Sequence, residues 1–417
     1  MLLFSDRIVT DRQLPADRLL FLDGLRALAA LWVMLGHLRL FPLGWTAWEG
    51  WAAAPLNALM YMHYGVDVFL VLSGFCLALP LVRGDGTYRG GLKGFFAARA
   101  ARILPPYFAT LALILLVNTF VPIVRWARHD LGLTGDMPWQ VLWTNLLLMQ
   151  DIYPQYNNVN GPFWSVATEW HLYAVFPLLI WVWRRHGVAA LLAAGTVAAV
   201  ALTALSDAFP RIPVIDASVP QPPYYVVLLV QGIAAAALAF SPRFESVRAM
   251  LRKGAWLAAL LLVVAIGAAF HAYPIVDVPS VLRHNAMFRW FDPLAGALTA
   301  ALLVGLAGVA PTQPLRRLLE SSALVKVGGF SYSLYLIHIP LLTALYGATL
   351  LLVEEPLTRF LLLLAAGVPV CLIGAWMFSR VFERRFGPRA RPAHPAAQVQ
   401  QVRAGEPVPS GPSSRPG

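Results

Sequence analysis

Arg26 and His37 stand eleven positions apart in FLDGLRALAALWVMLGHLRL, residues 21–40, an apolar stretch long enough to cross a bilayer. Ionisable side chains are expensive in such a stretch and mark functional positions by default. At about 100° per residue, eleven positions return to within roughly 20° of the starting direction and advance about 16 Å. One helix face therefore carries a permanent cation near one bilayer surface and a titratable ring near the other. Two readings stand for each residue alone: Arg26 snorkels to headgroups and His37 bonds a neighbouring helix, or the guanidinium holds an anion and the imidazole moves a proton. Their shared face favours the second.

Further polar groups recur inside apolar segments. Asp67 lies in YMHYGVDVFLVLSGFCLAL, and Glu169 lies in FWSVATEWHLYAVFPLL between Trp164 and Trp170. Each is either helix-to-helix glue or part of a site. Arg99 and Arg102, three apart in GLKGFFAARAARILPPY, share a helix face suited to phosphate, or they anchor a helix end at the bilayer surface. Ser331, Tyr335 and His338 line one face of GGFSYSLYLIHIPLL as a polar stripe, with Pro340 placed to kink that helix.

The elements that must position these groups are membrane helices. The chain has 417 residues, is 59% hydrophobic and only 13% charged, and has a mean hydropathy of +0.64. Soluble domains approach a quarter charged, so the fold class expected is all-α, a polytopic transmembrane helix bundle. Spans are expected near residues 20–40, 61–81, 104–124, 164–183, 188–206, 223–240, 254–271, 291–310, 327–352 and 360–378. Residues 139–152 are shorter and expected to be a re-entrant or interfacial helix. Placing both termini in the cytoplasm leaves 24 Lys and Arg on the inner side and seven on the outer, as the positive-inside rule requires. The net charge of +11 is thereby explained without nucleic acid. A cytoplasmic arm is expected over 1–18, a membrane domain over 19–386, and a disordered, Pro/Arg-rich cytoplasmic tail over 387–417. Cys76 and Cys371 have neither partner spacing nor a His/Asp cluster beside them in sequence, so neither disulfide nor metal is expected. The depth count puts Arg26 toward the cytoplasm and His37, Asp67 and Glu169 in the outer half of the bilayer.

The ordered set FLDGLRALAALWVMLGHL, GVDVFLVLSGF, RAARILPPY, FWSVATEW and SYSLYLIHIP resembles the acyltransferase-3 family of integral-membrane O-acyltransferases. The resemblance implies a ten-helix fold and transfer of an acyl group, acetyl first, from cytoplasmic acyl-CoA to a hydroxyl of a carbohydrate, glycolipid or secreted small molecule at the cell membrane. The family's arginine and histidine match Arg26 and His37, and its paired arginines match Arg99 and Arg102. Ala98 stands where many relatives carry a further basic residue.

Acyl transfer to an alcohol needs a base, donors for an oxyanion and a clamp for the donor's phosphates. His37 is the candidate base, with Glu169 or Asp67 to orient it. Arg26, Arg99 and Arg102 are the candidate clamp. Trp164, Ser331, Tyr335 and His338 are candidate substrate contacts. The competing class is a transporter or flippase of sugar-linked or hydrophobic substrates, whose pathway is also lined by intramembrane ions, although no inverted repeat is evident.

Overall fold

The computed structural model describes residues 19–50, 53–84, 87–88, 90–131, 139–153, 159–208, 223–383 and 385. The expected arm over 1–18 and tail over 387–417 lie outside the described residues. Among the described residues, every regular element is helical. They are α1 (Leu20–Leu43), α2 (Ala53–Ala58), α3 (His63–Arg83), α4 (Gly91–Phe120), α5 (Pro122–Asp130), α6 (Trp139–Leu146), α7 (Phe163–Ala208) and α8 (Val226–Phe240). There follow α9 (Glu245–Lys253), α10 (Ala255–Ala272), α11 (Val278–Gly308), α12 (Pro314–Leu319), α13 (Ser322–Gly328), α14 (Ser331–Leu352), α15 (Pro356–Leu362) and α16 (Val368–Phe378).

Among the described residues, eight helices are long and apolar enough to cross a membrane, or nine if α8 and its continuation, bent by 89°, form one span. All ten apolar stretches of the sequence fall on helices. Two of them share α7, whose 46 residues are interrupted at Gly187, where φ is 88°. At about 1.5 Å per residue α7 is roughly 69 Å long, about twice the hydrocarbon thickness, so the break at Gly187 divides it into two lengths of spanning size. The eight residues of α6 reach only about 12 Å and cannot cross. Instead α6 is tied to α4, whose Tyr107 hydroxyl donates to the Asn145 carbonyl at 2.8 Å.

One boundary differs from the sequence expectation, which began the third span near Pro105. Helix α4 starts at Gly91 and runs straight through Pro105 and Pro106. The fourteen residues before Pro105 are rich in Ala, Leu, Arg and Lys, all good helix formers, and they outweigh the N–H groups the prolines remove. As a consequence Arg99 and Arg102 project from a continuous helix rather than from a loop.

Burial sorts the bundle into an inner and an outer set. The spanning windows of α1, α3 and α14 are each 61% buried, whereas that of α10 is 17% buried. Exposed Leu257, Leu260 and Val263 leave one side of α10 apolar, as a lipid-facing helix requires. The inner helices approach at glycines. A Cβ on Gly74 of α3 would overlap the Leu229 carbonyl of α8, and one on Gly232 of α8 would overlap the Val71 carbonyl of α3. Likewise a Cβ on Gly24 of α1 would strike the Leu319 carbonyl of α12, and one on Gly328 of α13 the Asp23 carbonyl. In lipid, where apolar burial gives helices little reason to associate, such close backbone approach is a main source of packing energy.

Gly232→Leu is expected to destabilise the bundle by roughly 1–3 kcal/mol or more by forcing α3 and α8 apart. Gly267→Ala, on α10 with no neighbour within 4 Å of a new Cβ, is expected to be neutral. Thermal unfolding in detergent followed by fluorescence size-exclusion distinguishes the two, and equal effects would remove the close α3–α8 contact.

Candidate active site

His37 sits on α1 facing α14. Its Nδ1 lies 2.9 Å from the Val33 carbonyl one turn back. His338 repeats this geometry on α14, with Nδ1 at 3.0 Å from the Leu334 carbonyl. A carbonyl can only accept, so each ring places its proton on Nδ1 and leaves Nε2 with a lone pair. The His338 Nε2 lone pair then lies 3.3 Å from His37 Nδ1 and reinforces that tautomer. His37 Nε2 is left facing a cavity, and a Cβ built on Gly161 would stand 3.9 Å from it.

Pro340 explains how Gly161 comes so close. Its missing N–H leaves the Leu336 carbonyl of α14 without its helical donor. The Asn160 side chain supplies one, donating from Nδ2 at 2.9 Å. That bond pins the chain entering α7 against α14, next to His37. Pro340, expected from sequence to kink the helix, lies within the continuous α14 and, through the carbonyl it frees, holds Asn160 and Gly161 beside the imidazole.

The cavity at His37 is also lined by His63, Trp164, Phe288 and Tyr335. A second cavity lies on the other side of Tyr335 and Val66, which line both. Its walls carry Arg26, Arg99 and Arg102 together with Glu169, Ser331 and Tyr335. The two chambers therefore run in sequence along facing sides of α1 and α14. From Ser331 to His338, α14 advances about 10 Å, in step with α1 from Arg26 towards His37. At the shared wall the Tyr335 and Ser165 hydroxyls are 2.6 Å apart.

The arginine chamber is held by its own contacts. Arg26 Nη1 donates to Asp23 Oδ1 at 2.9 Å, and Nη2 lies 2.9 Å from Cys76 Sγ. Tyr332 of α14 donates to the Ile103 carbonyl at 3.1 Å, which locks the arginine-bearing part of α4 to α14. Arg99 Nε is buried without a hydrogen-bond partner among the described residues. Ser73 donates to Glu169 Oε1 at 2.7 Å, and Tyr173 donates to the same oxygen. Three guanidinium groups with Glu169 and Asp23 leave one net positive charge, suited to a phosphorylated ligand. Lys93, in the same segment, is exposed and does not line the chamber.

The structure thus brings Arg26, Arg99, Arg102, Glu169, Ser331 and Tyr335 into one chamber and His37, Trp164 and Tyr335 into the next, with His338 packed behind His37. It corrects the expectation that Glu169 or Asp67 orients His37. Glu169 stands among the arginines, and Asp67 pairs instead with His63, at 3.6 Å, away from His37. The orienting contact comes from His338, because an i−4 carbonyl bond and a facing imidazole together use up Nδ1. Sequence reasoning also missed Ser73, Tyr173, His63 and Asp292. Val66, Phe69, Leu70, Ser73 and Leu77 follow helical spacing on α3, and all line the arginine chamber. That periodicity was visible in the sequence, whereas the facing helix was not.

Comparison with known proteins places the chain in a family. The family model described as an acyltransferase domain matches residues 19–376. Acyltransferase MdmB of Streptomyces mycarofaciens is 28% identical over 342 residues, covering 77% of this chain and 78% of that protein. Nodulation protein 10 of Rhizobium leguminosarum bv. viciae is 27% identical over 178 residues, 39% of this chain and 44% of that one. A putative O-acetyltransferase of Staphylococcus aureus (strain COL) is 26% identical over 166 residues, 38% of this chain and 24% of that one. No solved structure matches at a significant level. A match across most of the chain, on a polytopic helical bundle with two serial chambers, makes this protein a member of the acyltransferase-3 family of membrane acyltransferases.

Proposed function

We propose that the protein moves an acyl group from cytoplasmic acyl-CoA to a hydroxyl on an acceptor at the outer side of the cytoplasmic membrane. The observation that carries this reading is the meeting of the two chambers at Tyr335, one lined by three arginines and the other by His37. Arg26, Arg99 and Arg102 hold the donor's phosphates, and the pantetheine arm runs along α1 and α14. The acceptor occupies the His37 chamber between Trp164 and His63, its hydroxyl directed at Nε2. The hydroxyl oxygen attacks the thioester carbonyl while His37 Nε2 takes its proton. The C–S bond then breaks and the departing thiolate recovers that proton, so His37 ends neutral. Tyr335, at the shared wall, donates to the developing oxyanion. Glu169 holds the arginines and Tyr173 in place, and His338 keeps His37 in the productive tautomer.

A carbohydrate, glycolipid or secreted small molecule fits a chamber with an aromatic wall and a single base. The staphylococcal relative's name, a putative O-acetyltransferase, supports acetyl as the group moved. Both termini lie in the cytoplasm in this reading, following the distribution of Lys and Arg.

Vesicles with the arginine end outward test the whole scheme. They are expected to acylate acceptor trapped in the lumen using labelled acyl-CoA supplied only outside. Product formed only with acceptor on the donor's side would overturn the transmembrane reading.

His37→Ala is expected to lower turnover by about 10²- to 10⁴-fold while leaving acyl-CoA affinity unchanged. A variant keeping more than about a tenth of wild-type turnover would exclude His37 as the base. On the donor side, Arg26→Lys is expected to weaken acyl-CoA binding, because a point charge cannot reproduce the guanidinium's paired donors. Calorimetry with a non-hydrolysable acyl-CoA reads this directly.

Asn160→Leu removes the donor to the Leu336 carbonyl. It is expected to raise the acceptor KM and lower turnover with donor affinity intact. An equal loss at both substrates would mean that the bond serves global stability rather than the loop over His37.

A further inference from the structure

Beneath the wall of the His37 chamber lies a cluster whose two carboxylates the proposed reaction leaves unused. His63 and Asp67, one turn apart on α3, meet Asp292 of α11, and their ligating atoms all fall within 4.8 Å of one another. His63 Nε2 lies 3.0 Å from Asp292 Oδ2 and 3.6 Å from Asp67 Oδ1. Both carboxylates are wholly buried, and three of their four oxygens, both of Asp67 and Oδ1 of Asp292, have no hydrogen-bond donor among the described residues. Tyr224 donates to Asp292 Oδ2 at 3.0 Å, and the Tyr225 hydroxyl stands 3.3 Å from His63 Nε2. The imidazole is stacked on Phe288 at 3.7 Å with its plane 7° away from parallel.

Two buried carboxylates in contact cannot both stay ionised without a counter-charge. A proton shared between them would satisfy one oxygen of each and still leave an Asp67 oxygen bare, since His63 at 3.6 Å is too far to bond it. A cation at the centre would contact all three residues at once. Nitrogen and oxygen ligands about 2.0–2.2 Å from such an ion stand roughly 3.0–3.6 Å apart, which matches the two measured separations. One imidazole with two carboxylates suits a divalent first-row ion such as Zn²⁺ better than Mg²⁺ or Ca²⁺, which favour all-oxygen sets.

We infer that His63, Asp67 and Asp292 bind one divalent transition-metal ion that fastens α3 to α11 behind the His37 chamber. The ion is structural, since both carboxylates are sealed from the chamber and only His63 reaches its surface. This departs from the sequence expectation of no metal, which rested on the cysteines; no cysteine takes part here. By fixing His63 and Phe288 it sets one wall of the proposed acceptor site, but the binding inference stands independently of the reaction.

Full-length protein purified without chelators, on an affinity tag free of histidine, is expected to carry about one equivalent of divalent metal by elemental mass spectrometry. Asp292→Asn is expected to lower that content by about tenfold or more, while His171→Ala, a histidine outside the cluster, leaves it unchanged. If Asp292→Asn does not fold, His63→Gln, at the ligand nearest the chamber surface, gives the same reading. Co²⁺ exchanged into the wild type is expected to show visible absorption that His63→Gln alters. Wild-type protein holding less than about a tenth of an equivalent after incubation with Zn²⁺, Mn²⁺ and Co²⁺ overturns the proposal and leaves a proton-sharing acid pair. Metal fully retained by both variants overturns it as well, since the ion would then lie elsewhere.

Discussion

Hydrocarbon offers no water to an ionisable group, so each charge on an inner helix must turn toward another helix and find its partner there. That constraint organises this bundle. Arg26 on α1 cannot face lipid; it turns inward to Asp23 and Cys76 and becomes part of a chamber wall. His37, eleven residues later on the same face, meets α14 and stacks tilted against His338, their ring centroids 5.1 Å apart. Because both partners lie on the inner side of α1, the helix that carries the charges is also among the most buried.

Polar contacts of this kind need the helices to come close, and glycine makes that possible. The paired overlaps at Gly74 and Gly232 set α3 against α8, and Gly328 seats α13 on the Asp23 carbonyl at the start of α1. The second contact matters for chemistry as well as packing, since Asp23 is the acid that pairs with Arg26. Proline acts in the opposite sense, by releasing a backbone acceptor. The Leu336 carbonyl, left free by Pro340, is claimed by Asn160, which draws the segment before α7 over His37. Backbone hydrogen bonding and active-site geometry are thus one problem in this part of the molecule.

Two chambers meeting at one tyrosine also separate the demands of acyl transfer. The arginine side can be strongly polar because Glu169, Ser73 and Tyr173 satisfy one another there, while the His37 side is mostly aromatic. In the proposed reaction a proton acceptor and a phosphate clamp need such different surroundings. Each would fail in the other's place. Tyr335 stands between them with its hydroxyl on Ser165, the donor that the proposed transfer assigns to the oxyanion.

The sequence by itself determined the helices, their apolar lengths and the inward faces of α1 and α14, because periodicity and intramembrane charge are local properties of the chain. It also carried the ordered motifs by which Arg26, His37, Arg99, Arg102, Glu169 and His338 were singled out. It misjudged where α4 begins, since Pro105 read as a start and the helix-forming run before it prevailed. What only the tertiary structure decided is who faces whom. Counting along each helix put Glu169 and Asp67 at the depth of His37, yet Glu169 lines the arginine chamber with Arg26, and such a count says nothing about rotation around an axis or about which helix is the neighbour. Those follow from close packing at Gly24, Gly74, Gly232 and Gly328, contacts between residues far apart in the chain. Packing, rather than spacing, set His338 beside His37, Glu169 among the arginines, and Asp67 with His63 and Asp292.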